Sequence, residues 1–170
     1  MDDSILIYFE RLELMAFFSG YVAIYIFLNA FTNSKKTRLS KTSKRLLSLL
    51  PYSYTLTAIL FWGYVLRNLF PEYTVHHYLA QFNAPFWQLI ALASILSWVP
   101  IFRKKGYYSL LHSLFFFGFL LIDFYYFIIG NNGPELLQND MKVFTDSLLL
   151  NLSTLIVIVV IRAFSVKIKG

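Results

Sequence analysis

Six ionisable side chains interrupt apolar sequence, and they are the ones that could do chemistry. Glu10, Arg11 and Glu13 lie in FERLELMAF, Arg67 in YVLRNLF, Asp123 in LLIDFYY and Asp146 in FTDSLLL. Two carboxylates facing one cavity could act as general acid and base, with an arginine beside them to hold a phosphate. The same acids around a water path would favour cations. The plainer use is structural, since Arg–carboxylate contacts fix the register of packed helices.

A second set is uncharged. Ser147, Asn151 and Thr154 recur at helical spacing in DSLLLNLSTL and form a polar stripe suited to hydrogen bonds between helices. Histidine offers less. His76 and His77 follow Glu72 by about one helical turn, and a metal would need at least a third ligand. His112 belongs to the far end of another segment, so no pair of haem ligands meets at one depth. The chain has no cysteine, which excludes disulfides, zinc thiolates and thiol catalysis. GxSxG, HExxH, Walker and dinucleotide-binding patterns are missing as well. NLS at 151–153 has the form of a glycosylation sequon but falls inside an apolar run. These residues give no catalytic set, no metal site and no cofactor.

The elements that must position these groups follow from composition. The 170 residues are 58% apolar and 14% charged. Soluble domains are nearer about 45–50% apolar and about 25% charged, so the surplus implies lipid contact. A membrane-crossing helix needs about 20 mostly apolar residues. Five stretches qualify, at about 5–31, 46–70, 84–102, 107–130 and 143–164. The first begins MDDS and carries a long apolar run, unlike a cleaved signal peptide. Between the stretches lie short links: 71–83, which could hold a short interfacial helix, and the turn-like 131–142. The expected fold is all-α, a single transmembrane domain over residues 1–170 with five spans. Four spans, with 5–31 lying flat on the membrane, is the alternative.

Charge orients the bundle. Lys35, Lys36, Arg38, Lys41, Lys44 and Arg45 fill the loop 32–45, and Arg103, Lys104 and Lys105 fill the next turn on that side. With Arg162, Lys167 and Lys169 they make 12 of the 15 basic residues, all at one end of a five-span bundle. By the positive-inside rule that end is cytoplasmic, with the N-terminus outside and the C-terminus inside. The acids fall towards the opposite end. Glu10, Arg11, Glu13, Arg67, Asp123 and Asp146 are therefore expected as one outer-leaflet polar cluster.

The net charge of +6 is explained by orientation and needs no nucleic-acid partner. The basic loop suits anionic lipid, or a soluble partner docking from the cytoplasm. Richness in Phe, Ile, Tyr, Lys and Asn suggests an AT-rich bacterial gene and the bacterial inner membrane. The functional expectation is a non-enzymatic membrane component, a homo-oligomer or a subunit of a membrane complex, with a cation-preferring pore as one form. A membrane enzyme acting on lipid or glycan through Glu10, Glu13, Asp123 or Asp146 is the alternative, and a small ion-coupled transporter is the third.

Overall fold

A computed structural model describes residues 3–32, 38–80, 85–130 and 133–168. Among them the chain forms helices α1 (Asp3–Phe18), α2 (Gly20–Thr32), α3 (Arg38–Leu69), α4 (Val75–Ala80), α5 (Pro85–Leu92), α6 (Pro100–Lys105), α7 (Tyr107–Ile128) and α8 (Pro134–Ile168). A 3-10 segment, Ala93–Trp98, joins α5 to α6. The described residues contain no strand, as an all-helical fold requires.

Four helical stretches are long and apolar enough to cross a membrane: Leu6–Thr32, Ser40–Leu69, Tyr107–Ile128 and Pro134–Ser165. They mark the chain as an integral membrane protein. The fifth apolar stretch is shorter, Phe86–Trp98, and changes from α to 3-10 geometry partway. It nevertheless runs antiparallel to α7. The Trp87 ring packs 5.0 Å from Phe119, the Ile90 carbonyl meets His112, and the Ala93 carbonyl accepts from the Tyr108 hydroxyl.

Two boundaries differ from the sequence expectation. Residues 134–142, read there as part of a turn, are helix. Pro134 opens α8, where its missing N–H leaves no bond unmade. Pro71 lies in the turn before α4 rather than at its first position.

The first long stretch breaks at Ser19, between α1 and α2. Backbone groups freed by a break in lipid must be satisfied by neighbouring helices. Here the Ser113 hydroxyl donates to the Phe18 carbonyl at 2.6 Å, and Asn151 Nδ2 donates to the Phe17 carbonyl at 3.1 Å. The Gly20 amide donates to the Ser147 hydroxyl at 2.9 Å. Gly20 also lets α2 reach α8 backbone to backbone: a Cβ there would stand 2.6 Å from Ser147 C and Leu148 N.

Aromatic packing fills the interior around Phe18, which is fully buried. Its ring lies 5.0 Å from Phe61, 5.1 Å from Phe116 and 5.0 Å from His112. Tilted and edge-on arrangements of this kind are the preferred ones for ring pairs.

Candidate functional site

At the end of the bundle where α1 begins, α1, α7 and α8 bring three charges together. Arg11 Nη2 lies 2.6 Å from Asp123 Oδ2 and 4.0 Å from Asp140 Oδ2. Both acids are buried, Asp140 completely. The Tyr8 hydroxyl bridges to α8 as well, 3.0 Å from Asp140 Oδ1 and 3.1 Å from the Leu136 carbonyl. The Arg11 guanidinium is flanked by the Tyr8 ring at 5.1 Å and the Phe119 ring at 5.8 Å. Such ring faces favour a cation with few water contacts.

Asp140 was not among the expected cluster, because it lies in a stretch read as a turn. Since α8 begins at Pro134, Asp140 sits six residues inside the helix, about 9 Å along it. The sequence signal was available: Asp140, Ser147, Asn151 and Thr154 share one helical face.

Glu13 occupies a neighbouring position. It is half-buried beside Tyr64 of α3 and within electrostatic reach of Glu10 and of Tyr78 in α4. Tyr78 is buried and donates to Gln88 Oε1 at 2.9 Å. Burial pushes its phenol above the ordinary value, and Glu13 and Tyr64 add to the shift. Glu10 is also half-buried on α1. Arg67 is exposed on the last turn of α3 and makes no ion pair among the described residues.

Asp146 lies elsewhere. Phe144 packs 5.6 Å from Phe117, the midpoint of α7, and Ser147 meets Gly20 in the middle of the first long stretch. Asp146, between them, is therefore at mid-height, and it is exposed. The sequence reading begins this span at about 143, which would put Asp146 near its end; α8 starts nine residues earlier. Lys142 and Ser153 are exposed too, one turn above and two turns below. At 100° per residue these three form one outward stripe about 16 Å long.

The stripe expected at Ser147, Asn151 and Thr154 is buried on a different face of α8, about 100° around from Asp146. Asn151 Nδ2 donates to the Ser147 carbonyl at 2.9 Å as well as to Phe17. Thr57 and Thr154 hydroxyls meet at 3.2 Å, and Ser53 approaches Thr154 at 3.4 Å. Polar groups here join α8 to α1 and α3.

His112 is equally engaged. Its Nε2 faces the Ile90 carbonyl at 2.9 Å, which can only accept, so Nε2 carries the proton. Nδ1 then accepts from the Tyr54 hydroxyl. His77 Nδ1 lies 3.4 Å from Glu72 Oε2, and no group of three metal-ligating side chains occurs among the described residues.

The basic residues converge at the other end. The Arg103 guanidinium lies 4.8 Å over the Tyr52 ring. Lys44, Arg103 and Lys104 line one groove that Tyr52 borders, and Arg162 lines a second groove that Tyr52 also borders. Lys41 and Arg45 are exposed on α3, which begins at Arg38, and Lys105 ends α6. Lys35 and Lys36 lie outside the described residues.

Comparison with known proteins gives no match: no family model, curated protein or solved structure corresponds to the chain.

Proposed function

We propose that the protein is a non-enzymatic integral membrane component that works in an assembly, as a homo-oligomer or as a subunit of a membrane complex. The observation that carries this is Asp146, a carboxylate exposed at mid-height on a helix long and apolar enough to cross the membrane. A carboxylate at the bilayer centre costs on the order of 3 kcal/mol against lipid, so such groups face protein or water. Among the described residues no other part of the chain covers it. Lys142 and Ser153 extend the same stripe, and in two parallel copies of α8 side by side Lys142 of each stands one turn in height from Asp146 of the other, within reach of an ion pair. In the more demanding form, copies ring a shared axis and the acids favour cations.

The other buried polar groups support a component rather than an enzyme. Arg11, Asp123, His112, Ser113, Ser147 and Asn151 all contact neighbouring helices. In this reading the chain crosses the membrane five times, with 85–105 as a short, irregular crossing. That course accounts for Arg103 and Lys104 sharing a groove with Lys44. The basic end faces the cytoplasm, where anionic lipid and any soluble partner would meet it. The inner membrane of a bacterium is the compartment that suits this arrangement.

The test is stoichiometry in lipid nanodiscs, with Asp146→Leu beside the natural chain. The natural chain is expected as an oligomer or in complex, and the variant as a helical monomer. A natural chain that stays monomeric over a hundredfold range of concentration, with no co-purifying subunit, overturns the proposal. Cation flux in liposomes that is lost in Asp146→Asn would select the pore form.

A further inference from the structure

The groove at the basic end is built for a ligand that the assembly reading does not use. It has a volume of about 540 Å³ and lies between α2, α3 and the α6–α7 corner. Ligand sites commonly fall between about 300 and 1,000 Å³. Lys44, Arg103 and Lys104 line it, with no acidic residue among the described residues of its walls.

Arg103 is held in place rather than free. Its guanidinium stacks on Tyr52, and its Nε is buried with no hydrogen-bond partner among the described residues. Gly106, in the left-handed region at φ 66°, turns the chain from α6 into α7 at the rim of the groove. It provides no side chain to cap α7, so the first amides of a 22-residue helix present their positive end there. Three cations and an uncapped helix start favour an anion with several acceptor oxygens. The remaining walls are mainly aromatic and apolar, with the hydroxyls of Thr32 and Ser48 among them, and Tyr21 and Tyr25 reach from Thr32 towards mid-height.

We propose that this groove binds the phosphate ester of an anionic membrane lipid, its phosphate among Lys44, Arg103 and Lys104 and its acyl chain along Tyr21 and Tyr25. A free phosphate would fill the mouth and leave the aromatic wall unused.

The experiment is native mass spectrometry of the detergent-solubilised full chain, titrated with phosphatidylglycerol or phosphatidylcholine. Phosphatidylglycerol is expected to bind at least about fivefold more tightly, the factor that one well-placed basic residue contributes near a membrane surface. Arg103→Gln and Lys104→Gln should each remove most of that preference. Arg67→Gln, at an exposed arginine on the far end of α3 and outside the groove, should keep it. If Arg103→Gln does not fold, Lys44→Gln and Lys104→Gln carry the same comparison. Equal binding of the two lipids, or equal losses in Arg67→Gln and the groove variants, overturns the proposal. Displacement of the lipid by millimolar glycerol phosphate would overturn the role given to the acyl chain.

Discussion

The amide of Gly20 donates to the hydroxyl of Ser147 across 2.9 Å, at the point where the first long helix breaks. That contact fixes the height of α8 against α1 and α2. It therefore also fixes the height of Asp146, the residue before Ser147.

Gly20→Ala should destabilise the bundle by about 1–3 kcal/mol, the usual cost of overpacking. The added Cβ would meet backbone atoms at 2.6 Å, which cannot swing aside as a side-chain tip could. Gly63→Ala is the control. A Cβ there has nothing within 4 Å, and alanine favours helix over glycine by roughly 0.5–1 kcal/mol. Thermal unfolding followed by circular dichroism in one detergent compares the two.

Asn151→Leu should cost about 1–3 kcal/mol, because it removes the donor to the Phe17 carbonyl within a buried seam. Ser153→Ala, two residues on but outward-facing, should change stability by less than about 0.5 kcal/mol. Unfolding curves in detergent separate these outcomes.

Removing Arg11 should matter more than removing Asp140. Arg11→Met leaves Asp123 and Asp140 buried together without their cation, a loss of about 3–5 kcal/mol for a broken buried pair. Asp140→Asn keeps an oxygen to accept from Tyr8 and loses only the 4.0 Å contact, so about 1 kcal/mol is expected. Combining Arg11→Met with Asp123→Leu should recover part of the loss of Arg11→Met alone, measured as a double-mutant cycle.

Apolar runs and charge counts made much of this molecule legible before any coordinates. The helical character follows from them, and four of the long stretches match the apolar runs in position. The details that position the polar groups came from tertiary contacts instead. The break at Ser19 falls within FFSG, where the Ser-Gly pair permits a kink but does not require one, and its freed groups are met by Ser113, Ser147 and Asn151 from helices far along the chain. The 3-10 stretch at Ala93–Trp98 has ordinary apolar sequence; Thr55 reaches its Ser97 carbonyl at 3.2 Å.

One helix boundary sets the positions of both Asp140 and Asp146. The polar run NNGPELLQNDMK reads as a turn, yet from Pro134 onward it extends α8 by nine residues beyond its apolar part. That extension brings Asp140 to Arg11 and lowers Asp146 to mid-height. Arg67 and Arg11 looked equivalent as cations near an outer boundary. The deeper position of Arg11 on α1, between the Tyr8 and Phe119 rings, distinguishes them.

Disulfide cross-linking in native membranes tests the assembly most directly, because the chain has no cysteine of its own. Ser153→Cys lies on the Asp146 stripe, whereas Leu152→Cys is also exposed but about 100° around α8. The account predicts a covalent dimer, or a cross-link to a second subunit, from Ser153→Cys and little from Leu152→Cys. No cross-link from Ser153→Cys, or equal yields at both positions, would contradict it.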